Sequence, residues 1–172
     1  MTASRALTSP LDSGRAHLPG TSRPNRPART QRDSIRGIVA LAGPAPAPIV
    51  SLILKNGGSV RLVSSHPLAT VRQLNGLEIV VYAKPGVRLD EPVDMEDFAV
   101  RAVGDEPAVD GIMRRAPSGD LLEKNDGRRL TVRRLPDYLH DADGKRVWIA
   151  GPLDAPTSAG VIDPNRRYRF PE

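Results

Sequence analysis

The chain has 172 residues and a formal net charge of +5, with 25 Lys and Arg, 20 Asp and Glu, 17 Pro, 15 Gly and no Cys. Without cysteine there is no disulfide, thiolate zinc site or cysteine nucleophile, although that leaves the compartment open. One Trp, three Tyr and two Phe beside so many turn-forming residues suit short strands rather than long helices.

The charge is unevenly placed. Residues 1–48 hold seven arginines, from Arg5 to Arg36, against Asp12 and Asp33 alone, which accounts for the whole +5. The rest keeps 18 of the 25 basic and 18 of the 20 acidic groups and sums to zero. That part therefore carries no overall attraction for polyanions.

Residues 1–34 are rich in Pro, Ser, Thr, Gly and Arg and lack an apolar pattern. They cannot bury enough surface to offset their chain entropy, so 1–48 is expected to be a disordered basic tail and linker. Within it, "IRGIVALAGPAPAPIV" sets arginines before a short apolar run, Ile38 to Ala42, and then small residues and prolines. Segment 36–47 reads either as plain linker or as a stunted, late export signal, which keeps both cytoplasm and cell envelope open. The run is too short to span a membrane.

From Ile49 onward the chain writes one pattern twice. In the first copy a strand, Ile49–Lys55, meets "NGG", then "SVRLV", "SSHPLATVRQLNG" and "LEIVVYA". In the second, "DLLEK" meets "NDG", then "RRLTV", "RRLPDYLHDADG" and "KRVWIAG". Gly58 is matched to Gly127 and Gly76 to Gly144, five features recurring in order, as in a structural repeat. Asn-Gly and Asp-Gly supply the positive φ angles of tight hairpins. Pro67 and Pro136 suit the first turn of a short helix, and Leu68, Val71 and Leu74 give the first one an apolar face. Ile79 and Val81 alternate with Val80 and Tyr82, as Val147 and Ile149 do with Trp148 and Ala150, so both strands should be covered on both faces. "FAVRAV" (98–103) would close the first unit, "AVDGIMRR" (108–115) open the second and "AGVI" (159–162) end it.

Strand, strand, short helix or turn, strand, strand is the order of small OB or SH3-like barrels. The expected fold is all-β: a disordered tail over 1–48, one OB-like unit over 49–107, a second over 108–164, and a C-terminal tail over 165–172. A lone unit of that size would be marginal, so the two should pack together. Asp110, Gly111, Leu122, Asp126, Gly127, Leu130, Gly144, Val147, Trp148, Ile149 and Gly151 to Leu153 set a cadence that resembles uncharacterised bacterial OB-fold-like domains. The resemblance covers the second unit well and the first loosely. It implies a fold and no active site, and relatives of that kind are often exported.

Motifs for chemistry are sparse. His17, His66 and His140 have no metal spacing, and Ser64-Ser65-His66 has neither an elbow glycine nor a nameable acid. Asp141 and Asp143 before Gly144 are a fragment of a calcium loop without its downstream acid. Asp90, Glu91, Asp94, Glu96 and Asp97 could trap a cation, yet such loops are usually hydrated. No glycine-rich phosphate loop is present. The pairs Arg114-Arg115, Arg128-Arg129, Arg133-Arg134 and Lys145-Arg146 would form a basic stripe beside Trp148 if neighbouring strands aligned them. Arg115, Arg128, Arg133, Arg146 and Trp148 are therefore the candidate contacts, with solvated charge and a core plug as the plainer readings.

The expectation is a non-enzymatic binding or interaction module, without cofactor or metal, whose partner is a protein or an envelope polymer. The alternative is single-stranded nucleic-acid binding through the second unit and the arginine-rich tail. An enzyme is the least supported reading, since no nucleophile–base pair or metal set can be assembled.

Overall fold

A computed structural model describes residues 32–44, 47–64, 68–117 and 119–163. They form a ten-stranded sheet with one short helix and one 3-10 turn. The strands are β1 (Asp33–Ala42), β2 (Ile49–Ile53), β3 (Ser59–Val63), β4 (Leu77–Ala83), β5 (Val93–Val103), β6 (Glu106–Ala116), β7 (Gly119–Glu123), β8 (Arg129–Val132), β9 (Arg146–Ala150) and β10 (Ser158–Ile162). Helix α1 (Leu68–Arg72) lies between β3 and β4, and the 3-10 turn (Asp137–Leu139) lies between β8 and β9.

The first half curls into a barrel-like ring. Strand β1 pairs with β4 through Asp33–Ile38 and with β2 through Ile38–Ala42, so it changes partner at its middle. Gly37 permits this: a Cβ there would lie 2.7 Å from the Ile53 carbonyl oxygen, a separation side chains do not tolerate. β2 pairs with β3, β4 with β5, and a short parallel contact of β3 with β5 closes the circuit. Inward-facing Val39, Val50, Leu52, Val60, Leu62, Ile79, Val81 and Phe98 fill it. The apolar face expected for α1 is present, with Val71 and Leu74 buried and Leu68 packed against the same cluster.

The second half follows the same order. β6 pairs with β9 through Ala108–Ile112 and with β7 through Ile112–Ala116, again changing partner beside a glycine. A Cβ on Gly111 would lie 2.5 Å from the Glu123 carbonyl oxygen. β7 pairs with β8 and β9 with β10. The ring stays open here, because among the described residues β8 pairs only with β7 and β10 only with β9. The gap is bridged by single bonds: the Arg133 amide donates to the Leu153 carbonyl, and the Tyr138 hydroxyl to the Ala159 carbonyl. Met113, Leu122, Val132, Leu139, Val147 and Ile149 make a second, smaller core.

Two sequence expectations are corrected. The unit boundary at 49 is too late, since β1 lies inside the stretch read as tail and linker. Its residues Ile35, Gly37 and Val39 are buried and alternate with exposed ones, the pattern of a half-buried strand. Cleavage near Ala47 would strip a strand that bonds both β2 and β4. The turn match is also displaced by one residue. Gly57 and Gly127 are the equivalents, with φ of 83° and 81°. Each amide bonds back to the carbonyl three residues earlier, Leu54 in one turn and Lys124 in the other. The next amide, of Gly58 or Arg128, donates to the side chain of Asn56 or Asp126. The match of Gly76 to Gly144 keeps its place: both have positive φ, and the residue after each donates to the carbonyl of Leu74 or Ala142. Residues 1–31 and 164–172, with the expectations attached to them, lie outside the described residues.

Candidate binding surface

The halves meet through side chains as well as through the β5–β6 hairpin. β5 and β6 pair only at Ala102–Pro107 and Val103–Glu106 and then diverge. Beyond that point the Phe98 carbonyl and the Val100 amide of β5 have no strand beside them on the side of the second half. Asp110 and Arg146 take the place of that strand. Asp110 Oδ1 accepts from the Val100 amide at 3.0 Å, and the Arg146 guanidinium donates to the Phe98 carbonyl. Arg146 Nε also donates to Asp110 Oδ2 at 2.8 Å, and its Cζ sits 4.2 Å from the Phe98 ring centroid. The side chains of Asp110 and Arg146 are only 5% and 20% exposed. A charge so placed is held by its partners and not by water.

Arg146, a ligand contact expected from sequence, is engaged by these partners. Arg146 is turned inward between the halves and spent on the fold. Trp148 is half-buried and packs against the first core, with Gly160 directly under its indole. It acts as the plug between halves. Arg115 is tied to Asp120 and to the His140 carbonyl. Arg128 pairs with Asp126 in the β7–β8 turn, and its hydrogen bonds hold the Asp126 carboxyl down at about 2, well below the usual carboxylate range. Arg133 is exposed at the end of β8. β8 does not adjoin β9, so Arg133 and Arg146 never share a stripe.

The other sequence candidates resolve into turns and ion pairs. Asp143 accepts the Arg115 amide, and His140 lies 3.5 Å from Asp137. The acidic stretch read as a loop is one only as far as Pro92, since Asp94, Glu96 and Asp97 stand on β5; Arg88 holds Asp90 and Glu91, Arg32 holds Glu96, and Asp97 faces Arg146 and Asn125. Among the described residues no group of three or more His, Asp or Glu could hold a metal ion. His17, Ser65 and His66 lie outside them. No helix among the described residues is long and apolar enough to cross a membrane.

The surface that sequence reasoning missed is the outer face of β1 and β2. Ile38, Ile49 and Ile53 are 47%, 43% and 41% exposed. Ile38 lies directly opposite Ile53, and Ala42 opposite Ile49, with Ala40 and Ser51 between them. The matching rows of the second half, on β6 and β7, set half-buried Ile112 opposite Glu123 and Arg114 opposite half-buried Leu121, with Glu123 also reached by Arg114 and, from β8, by Arg129. The signal was legible: no charged residue falls between Arg36 and Lys55. At the foot of this face Arg36 makes a two-pronged bond to Glu78, at 2.5 and 3.0 Å. That hydrogen bond holds the Glu78 carboxyl below its ordinary range. Compared with protein-family models, curated proteins and solved structures, the chain matches none of them.

Proposed function

We propose that the protein is a non-enzymatic interaction module made of two OB-like halves, in which the second braces the first and the first presents the contact surface. One observation carries this reading. On the equivalent rows, β6 and β7 set half-buried Ile112 and Leu121 opposite Glu123 and Arg114, whereas β1 and β2 set exposed isoleucines with no charge among them. Exposed apolar residues gathered on one face mark a place where something binds. The OB-like assignment is supported by the strand order, with β1 shared between β2 and β4 and β3 beside β5, which is that of a five-stranded, partly open Greek-key barrel.

Nucleic-acid binding by the second half draws little support from the geometry. Arg115, Arg128 and Arg146 already have carboxylate partners, and Trp148 is packed over Gly160. The test is photo-cross-linking in cells with a reactive residue at position 53 and, for comparison, at the equivalent position 123. An adduct from 53 and none from 123 is expected. Equal yields, or an adduct from 123 alone, would refute the assignment of the face.

A further inference from the structure

The clasp between the halves has a counterpart on the open surface. Arg36 precedes Gly37 as Asp110 precedes Gly111, and Glu78 follows Gly76 at the spacing by which Arg146 follows Gly144. The register agrees: Ile38 stands directly opposite Glu78 on β4, and Ile112 directly opposite Arg146 on β9. In the second half the pair holds an extended strand. The Asp110 carboxylate accepts the Val100 amide, and the Arg146 guanidinium donates to the Phe98 carbonyl. Backbone groups of alternate residues on one strand edge are thus gripped by one acid and one base.

In the first half the side chains of Arg36 and Glu78 are 61% and 28% exposed, against 20% and 5% for Arg146 and Asp110. Arg36 Nε and Nη2 each meet one Glu78 oxygen, which leaves Nη1 and a lone pair on each oxygen able to bond further. The pair is neutral as a whole, so it complements the dipole of a peptide group, a carbonyl toward Arg36 and an N–H toward Glu78. A phosphate or carboxylate would meet the Glu78 charge beside the cation it needs. Beside the pair the surface is apolar, since Ile38 is flanked by Glu78 on one side and Ile53 on the other. We infer that Arg36 and Glu78 form a second clasp, which binds an extended segment of a partner polypeptide by its backbone while apolar side chains of that segment rest on Ile38 and Ile53. The acid and the base are exchanged between strands, which reverses the places of carbonyl and amide and keeps the chemistry. A second copy cannot offer its own β5, whose edge Asp110 and Arg146 already hold. The inference rests on the isoleucine face being the contact surface and names what it contacts.

The experiment selects short random peptides, displayed on phage, against the full chain and measures the Kd of synthetic copies. The proteins compared are the wild-type chain, Arg36→Asp, Arg36→Asp with Glu78→Arg, and Ile38→Ser with Ile53→Ser, each shown to be folded at the assay temperature. Enriched peptides should lose about tenfold in affinity on Arg36→Asp and regain most of it in the exchanged variant, which rebuilds the order of the second half. N-methylation of one peptide amide should cost about as much, an effect that side-chain contact alone does not produce. Loss in Arg36→Asp without recovery on exchange would assign the effect to net charge and overturn the clasp. Unchanged affinity in Arg36→Asp, with loss in the isoleucine variant, would also overturn it and leave the face standing as the contact surface. An adduct from position 53 without any enriched peptide has the same meaning, the occupant then being a folded surface, a second copy or a lipid layer. Peptides indifferent to every variant, or no peptide and no adduct, bring down both readings.

Discussion

Arg36 with Glu78 and Asp110 with Arg146 occupy corresponding places in the two halves, diagonal across β1 and β4 in one and across β6 and β9 in the other. The charges are exchanged between the strands. In the first half the pair is exposed and bonds only to itself among the described residues. In the second it lies against β5 and supplies an acceptor to one backbone amide and a donor to one carbonyl. The backbone is the same at both places, and what differs is the surface that each pair faces. Position in a fold fixes where a side chain stands, whereas the neighbour decides whether an ion pair is an ornament of the surface or part of the structure.

Breaking the pairs should separate the halves most. Asp110→Ala leaves a guanidinium and the Val100 amide without their carboxylate, and should cost about 3–5 kcal/mol in urea unfolding. Glu78→Ala, at the equivalent exposed pair, should cost at most about 1 kcal/mol in the same measurement. Similar losses from the two variants would mean that β5 does not depend on the clasp.

The glycines should behave alike in both halves. Gly37→Ala and Gly111→Ala each push a methyl group into a backbone carbonyl at the bend, and each should lose about 1–3 kcal/mol. A large loss at one site only would show that the two bends differ in tightness. In the hairpin turns, Gly57→Ala and Gly127→Ala force a side chain into positive φ and should cost about 1 kcal/mol or somewhat more. Gly58→Ala should cost less, since Gly58 lacks the positive φ of its neighbour. That ordering checks the one-residue displacement of the turn match.

The smallest effect distinguishes the turns electrostatically. Asp126 stands where the first half has Asn56, and its carboxyl is lowered from 3.8 to about 2. Because the folded value lies below the unfolded one, its contribution is complete above about pH 4 and is lost as pH falls through about 2. NMR titration should place Asp126 near 2, and Arg128→Ala should return it toward the ordinary range. An unchanged midpoint in that variant would remove Arg128 as the cause.

The strand order, hairpin turns, α1 and Gly-terminated segments were readable because each is set by local chemistry: alternation, turn glycines, a proline and three apolar residues at helical spacing. β1 was hidden by its neighbours. Arginines before it and prolines after it imitate an export signal, and its apolar run was read as one block. Yet "IRGIVALA" aligns with "VDGIMRRA", Gly37 upon Gly111, and a search for the counterpart of the second unit's opening strand would have found it. The exposed isoleucine face was legible as a gap in charge. The role of Arg146 was not, since the Phe98 carbonyl that it meets is 48 residues away in the chain and no pattern in sequence announces a side chain standing in for a strand.

The Gln73 side chain, one residue past the end of α1, ties the first half to the far end of the second. Its amide donates to the Asp163 carbonyl and accepts from the Asp163 amide, across 90 positions of sequence, while Ile162 seats itself in the first core. The last of the described strands, β10, thus contributes a side chain to the core that the first half encloses. The first core lacks Ile162 and the Gln73 side chain lacks its partner until synthesis has passed residue 163, so the halves should melt together and assemble slowly, as expected where late, distant contacts complete a fold. A severed gene, each portion expressed apart, would yield two incomplete walls instead of two small proteins.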